Sequence, residues 1–391
     1  MNFRSLSCSG SFFPDDFETL TAQLDQFSSR SDVANNLKNA LPVAIIAPHA
    51  GYKYSGRIAM DAYSMCLGYT YSLIVILSPA HKVAFDGIAT CSADGFALGN
   101  APVLVDTKMR DDVIRLGMAT LFDPAYHAEH GIETQIPFVS RYFGQSKILP
   151  LVLGNIPVES VKSLIDYIHQ KSSGNVLFVL SSDLSHFHSR EVAFTLDEKA
   201  AKLIETGQSR GLSRHFACGH AAIRGFLTSN VGHSARVLRL SNGDSAVVTK
   251  DETRVVGYGS WAFYPPETHI LSKKHRRNML NVARQATSSF LRKGKLPDIA
   301  LNSFDIPLRT HMPSFVTFQS KGRLRGCIGS LKPVQPLAKD VAINAIKAAT
   351  GDRRFKPVQK YQSSRNSKSR SLSSAMYSRS RATMKATPYV N

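Results

Sequence analysis

Apolar positions in the first two-thirds of the chain come in short, nearly unbroken runs. VAIIA (43–47), SLIVIL (72–77), KILPLVL (147–153) and NVLFVLS (175–181) are rich in β-branched residues, which suits strands covered on both faces. Patterns of helical period lie between them, near 56–66, 110–119, 158–171 and 193–206. This alternation predicts parallel βαβ crossovers in a layered α/β/α domain. A last pair of strands, near 234–240 and 253–264, closes the unit before Pro265-Pro266.

The pattern then changes. In residues 273–295, Met279, Leu280, Val282, Ala283, Ala286 and Phe290 form one apolar stripe among basic residues, which predicts a helix. Strands follow at 314–319 and around 327–331, and a second helix at 337–350, so this part reads as a smaller α+β unit. From about Lys360 the chain is Ser/Arg-rich, has no acid and shows no apolar period, a composition that predicts disorder. The expected organisation is an α/β domain over 1–266, an α+β domain over 273–360 and a disordered tail over 361–391.

Charge supports that division. The formal net charge of +19 over 391 residues is uneven: residues 1–270 carry 23 basic and 25 acidic side chains, residues 271–391 carry 25 and 4. The tail from Lys360 holds 7 of those basic residues, so the excess is weak ground for nucleic-acid binding. KKHRR (273–277) reads as a solvated helix face, with no nucleic-acid motif beside it. The cysteines, Cys8, Cys66, Cys91, Cys218 and Cys327, are odd in number and widely spaced, which argues for reduced thiols. No apolar run reaches the roughly 18–20 residues that span a bilayer, and no leader-like segment opens the chain. A cytoplasmic protein with no membrane partner is the expectation.

The candidate chemistry follows the strands. Pro48-His49 succeeds the first, Ser78-Pro79-Ala80-His81 the second, and Asp183-Leu184-Ser185-His186 the run at 175–181. A lone histidine at a strand end is ordinarily a core-edge residue. Three at carboxyl ends, the edge where open α/β sheets bind ligands, point to one crevice. His130 and Glu133 lie one helical turn apart. Cys218-Gly219 precedes a helical pattern, where a thiol ionises more easily. A thiolate with two neutral imidazoles can hold zinc, iron or copper.

SGSFFP (9–14), APHAGYKYSG (47–56), LSPAHK (77–82), EHGIETQIPF (129–138), SSDLSHF (181–187) and ACGHAAI (217–223) occur in the order found in the Memo family, and the resemblance covers residues 3–264. That family's fold is similar to class III extradiol dioxygenases. The resemblance implies a metal site from His49, His81 and Cys218, holding iron or copper, or zinc in their place. It implies Asp183, His186, His130 and Glu133 as catalytic residues in the same pocket, and Phe12, Phe13, Tyr52 and Tyr54 as ligand-binding residues. The dioxygenases use two histidines and a carboxylate, so a cysteine in third place points to a different metal-dependent redox reaction. A non-catalytic module binding a small molecule or peptide in the same crevice is the alternative.

FVTFQSKGRLRGCIGSLKPVQPLAKDVAINAIKAA (315–349) resembles the AMMECR domain, most specifically at Leu324-Arg325-Gly326-Cys327-Ile328-Gly329. Arg325 and Cys327 suit either an exposed thiol beside an anion-binding turn or a tight strand connection with a buried cysteine. The joined units resemble proteins B and A of the AmmeMemoRadiSam system, which implies a radical S-adenosylmethionine protein as partner. The AMMECR pattern continues with acidic, strand-forming sequence where this chain turns Ser/Arg-rich, so the second domain is expected to be cut short and to lack its closing strands.

Overall fold

The computed structural model describes residues 1–29, 41–99, 102–266, 271–320, 323–358 and 382–388. The chain divides into two compact units, residues 1–268 and 269–391. No helix among the described residues is long and apolar enough to cross a membrane.

A nine-stranded sheet organises the first unit. The four apolar runs form strands Ala44–Ala47, Leu73–Pro79, Lys147–Leu153 and Val176–Ser181. Nearly every residue in them is buried, which accounts for their lack of polar alternation. They pair in parallel in the order 44–47, 176–181, 73–79, 147–153. Strand Val255–Tyr264 adds antiparallel to 44–47 and carries both Arg236–Asp244 and His186–His188. Helices flank the sheet. Val158–Lys171, Arg190–Glu205 and His220–Thr228 contribute Val161, Leu164, Ile165, Ala200, Ile204, Ile223 and Phe226 to a core that includes Phe178, Trp261 and Phe263.

The topology answers whether the histidine-bearing strands are neighbours. Strand 176–181 lies between 44–47 and 73–79, with all three parallel. The segments after Ala47, Pro79 and Ser181 therefore leave the sheet side by side. Helix Tyr52–Ser64 starts four residues earlier than its apolar period indicates, with Gly51 as N-cap, and presents nine buried residues.

In the second unit, Ser272 and His275 form a reciprocal capping box at the head of helix Lys273–Lys293, and Gly294 ends it at φ +70°. Met279, Val282, Ala283 and Ala286 are buried, as the stripe requires. Strands Ser314–Ser320 and Arg323–Gly329 make an antiparallel pair, with helix Leu337–Thr350 following. Asp340 ties this unit together from a fully buried position. It accepts from the Ser314 amide and hydroxyl (2.9 and 2.6 Å), the Ser330 hydroxyl (2.8 Å) and the Asn344 amide (2.9 Å).

One departure from the sequence reading falls in the tail. Ala382–Pro388, within the stretch read as disordered, forms a strand antiparallel to Ser314–Ser320. Thr383 and Thr387 suit a strand, and pairing covers an edge that would otherwise present unpaired backbone groups. Residues 359–381 and 389–391 of the expected tail lie outside the described residues.

Candidate metal centre

Each imidazole that approaches the crevice is aimed by its own partner. His49 is buried; its amide donates to Asp183 Oδ1 (2.8 Å) and its Nδ1 lies 2.9 Å from Ser181 Oγ. The Ser181 hydroxyl donates to Gly131 O (2.6 Å), which uses its only hydrogen. Ser181 Oγ therefore accepts from His49 Nδ1–H, and also from Gln135 Nε2 (3.1 Å). The His49 Nε2 lone pair is left on the side of Cys218 Sγ, 3.2 Å away.

His81 is treated alike by Glu129. The Glu129 carboxylate, 1% exposed, accepts from His81 Nδ1 (2.7 Å), the His81 amide (2.8 Å) and the Gly131 amide (3.0 Å). Burial pushes this carboxyl up, but its bonds with His81 and the backbone amides outweigh burial and hold it below the usual carboxylate range.

His130 completes the group. Its ring centroid lies 4.2 Å from that of His81 and 5.2 Å from that of His49. Its Nδ1 is buried without a hydrogen-bond partner. One nitrogen from each of His49, His81 and His130 falls within 4.8 Å of the others. Burial and the neighbouring imidazoles push His49 well below its ordinary value and His130 down to about 4, so both rings are neutral at pH 7. A buried His130 nitrogen without a hydrogen-bond partner, in a group of three imidazoles with nitrogens within 4.8 Å of one another, fits a cation.

Cys218, the third ligand that the resemblance implies, stands beside this group. It is not part of that three-atom group; its Sγ stands 3.2 Å from His49 Nε2 and accepts from the Asp183 amide at 3.2 Å. A tetrahedral ion bound by imidazole and thiolate separates those two atoms by about 3.5 Å, so Cys218 lies within coordinating range beside His49. The expectation of an easily ionised thiol fails. Burial, followed by the charge of Asp183, pushes Cys218 up to about 12. The N-cap of the following helix is Gly219, whose amide is taken by Ser182 Oγ (2.9 Å).

The remaining candidates separate. Asp183 is buried, with Oδ2 4.0 Å from His49 Nε2, and burial raises it to about 6. His186 is half-buried at the same edge, and burial lowers its proton affinity. The Glu133 oxygens are spent on Ser7 Oγ (2.9 Å) and the Cys8 amide (2.7 Å), tying the N-terminal segment down. Phe12 stacks on the His130 ring at 4.8 Å, and half-buried Tyr54 lies under Lys53. Phe13 and Tyr52 are core residues, packed together at 5.5 Å, with the Tyr52 hydroxyl bonded to Thr134 O.

Glu129, Ser181 and Gln135 are absent from the sequence-derived set. Each lies inside a quoted motif, but helical spacing favours Glu133 over Glu129. Glu129 is the N-cap of helix His130–Glu133 and follows Ala128 at φ +51°, while the Glu133 oxygens are taken by Ser7 and Cys8.

In the second unit, Cys327 Sγ lies 3.2 Å from Thr317 Oγ1 and its amide donates to Asp352 Oδ2 (2.8 Å). The Arg325 guanidinium donates to Lys356 O and lies near the Phe355 ring. The thiol is half-buried.

The chain is similar to several known proteins. A MEMO1 family protein of Aquifex aeolicus is 29% identical over 267 residues, covering 66% of this chain and 98% of the relative. One from Sulfolobus acidocaldarius is 31% identical, covering 56% and 81%. An uncharacterised Escherichia coli protein of known structure, JW3007, is 12% identical at a TM-score of 0.38, covering 55% of this chain and 99% of that one. The AMMECR1 family model matches residues 280–370, and the Memo-like protein model matches residues 4–262. With its first unit spanned by that match and a smaller AMMECR1 domain behind it, the chain belongs to the Memo family.

Proposed function

We propose that this chain is a metal-dependent oxidoreductase, dioxygenase-like in its site, that takes a small organic substrate in the crevice lined by His49, His81, His130 and His186. The observation that supports it is the convergence of three imidazoles within 4.8 Å, that of His49 buried and those of His81 and His130 half-buried. His49 and His81 hold the ion, and His130 or Cys218 completes the set. Iron or copper bound there supplies redox chemistry, whereas zinc supplies Lewis acidity alone.

The chain's own residues set the surroundings. His186, its proton affinity lowered by burial, is suited to take a proton from a substrate hydroxyl near neutral pH. Asp183 holds the His49 backbone. Phe12 gives the crevice an aromatic wall against His130. Protein purified without chelator is expected to carry stoichiometric metal that is lost in His49→Ala, with an electron paramagnetic resonance signal when the metal is copper(II) or high-spin iron(III). Metal-free wild type after reconstitution with iron, copper and zinc overturns the reading.

Two further parts of the proposal rest on the domain pairing and the thiols. The joining of Memo and AMMECR1 domains in one chain supports a radical S-adenosylmethionine protein as partner, testable by anaerobic co-purification. Five free cysteines support a reducing, cytoplasmic setting. A peptide- or ligand-binding crevice without turnover is the second reading, favoured by the half-buried Phe12 face. It predicts that Phe12→Ala loses ligand while keeping metal.

A further inference from the structure

We infer that Glu129 and Ser181 are positioning residues that lock His81 and His49 in the Nδ1–H tautomer, so that both rings present Nε2 lone pairs to the point His130 also faces. The inference builds on the metal reading, but the tautomers exist in the metal-free chain and are testable there.

The lock follows from counting hydrogens. An ionised carboxylate only accepts. Glu129 meets three N–H donors with two oxygens: Oε1 takes His81 Nδ1–H and the Gly131 amide, and Oε2 takes the His81 amide. Ring and backbone of His81 are thus held by one carboxylate, which fixes tautomer and orientation together. Glu129 Oε1 is 3.9 Å from His130 Nδ1, beyond hydrogen-bond distance, so it does not settle that third ring. Ser181 does the same for His49 by a different route. Its hydrogen is committed to Gly131 O, and Tyr63 and Pro48 O orient the Gln135 amide so that its NH2 also donates to Ser181 Oγ. The oxygen is left only as an acceptor for the His49 ring. Both locks meet at Gly131, through its amide at Glu129 and its carbonyl at Ser181. An added Cβ on Gly131 would lie 2.1 Å from Ser78 Oγ and 3.2 Å from Glu129 Oε1, so a side chain at the residue that serves both rings displaces the Ser78 hydroxyl and crowds the carboxylate.

Glu129→Gln is the discriminating change. An amide keeps the shape but puts an NH2 where one oxygen stood. A backbone N–H cannot give up its proton, whereas an imidazole can move its own from Nδ1 to Nε2. Each Glu129 oxygen also holds a backbone N–H, so the Gln NH2 opposes one backbone donor whichever way it turns; placed at the Oε1 position it faces the ring as well, and there His81 takes the Nε2–H tautomer. The experiment uses the full chain, labelled with ¹⁵N-histidine and freed of metal by chelator, with long-range ¹H–¹⁵N correlation spectra and zinc titration. Wild type is expected to show Nδ1–H for His49 and His81. Glu129→Gln is expected to populate the Nε2–H tautomer at His81 alone, beside the Nδ1–H form, and to weaken zinc about 10–100-fold. Ser181→Ala is expected to release His49 alone. Nε2–H for either ring in wild type overturns the inference, and this reading requires no variant to fold. So does Glu129→Gln with unchanged tautomer and zinc affinity but a lowered melting midpoint, which marks a purely structural carboxylate. Expected tautomers without zinc binding in wild type leave the lock standing and remove the metal reading.

Discussion

Two cysteines in glycine-bearing motifs, each with an aspartate beside it, end in opposite surroundings. Cys218 is pressed against His49 Nε2 at the edge where three parallel strands release their histidines, and Asp183 beside it is pushed up to about 6 by burial. Cys327 lies on the strand Arg323–Gly329 opposite Thr317. Asp352 beside it is held well below the usual carboxylate range by Arg354, and then by the Cys327 amide. Residue type is the same; what differs is whether the sheet gathers other donors around the sulfur. A parallel sheet gathers them by releasing successive segments at one edge. An antiparallel pair surrounds its cysteine with the neighbouring strand and the chain that follows.

The sharpest way to break this contrast is metal affinity. His49→Ala and His81→Ala each are expected to lower zinc or copper affinity at least ~100-fold, since each removes a converging nitrogen. Cys327→Ala is expected to leave affinity unchanged in isothermal titration. Equal losses from all three would mean that the imidazole cluster is not the principal metal site.

Glycine substitutions sharpen it next. A Cβ at Gly326 would sit 2.0 Å from Ala348 O, in the backbone of helix Leu337–Thr350. Gly326→Ala is expected to destabilise the second unit by about 3 kcal/mol, read from its own denaturation transition. A Cβ at Gly219 would lie 2.6 Å from both Ser181 O and Ser182 Cβ. Gly219→Ala displaces the neighbour of Cys218, so it is expected to weaken metal binding and leave the second unit's transition unmoved.

The same contrast shows what the chain's pattern reveals. Unbroken apolar runs place His49, His81, Asp183 and His186 at strand ends, because burial on both faces is visible in composition. The choice of Glu129 over Glu133 is not visible. Ser7 and Cys8, about 125 residues away, occupy the Glu133 oxygens, and Glu129 sits at the N-cap where its carboxylate meets His81. Spacing along one helix carries no information about either. The strand at 382–388 escapes notice for a related reason: it is specified by the open edge of 314–320, and its own sequence has little apolar period. The high Cys218 value is equally hidden, since a helix start lowers a thiol in isolation while burial and Asp183 raise it here.

Thiol reactivity follows from those surroundings. With Cys218 pushed up to about 12, little thiolate exists at pH 8, and the sulfur is held against His49. Both thiols are half-buried, so the Cys218 surroundings decide: iodoacetamide is expected to alkylate Cys327 at least ~10-fold faster than Cys218 in chelator-treated protein, measured by peptide mass mapping over time. Faster modification of Cys218 would mean that its imidazole neighbour acts as a base and draws off the proton.

The two aspartates separate the regions by pH. Asp183 has a folded value of about 6 against an ordinary 3.8. Below about pH 4 it is protonated folded and unfolded alike. Between 4 and 6 the folded chain keeps a proton that the unfolded chain has lost, so stability falls as pH rises, and above 6 the loss is complete. Asp183→Asn keeps an acceptor for the His49 amide and removes this cost. In chelator-treated protein at pH 7 it is expected to melt about 2–4 °C higher than wild type, the gap closing toward pH 4. Asp352 runs the other way: its folded value is depressed, so its contribution is present above the ordinary carboxylate range and lost on acidification below it. Asp352→Asn is expected to lower the second unit's midpoint at pH 7, with the gap closing only in stronger acid. Parallel pH responses in the two variants would erase the distinction between a carboxyl confined by burial and one held by a guanidinium.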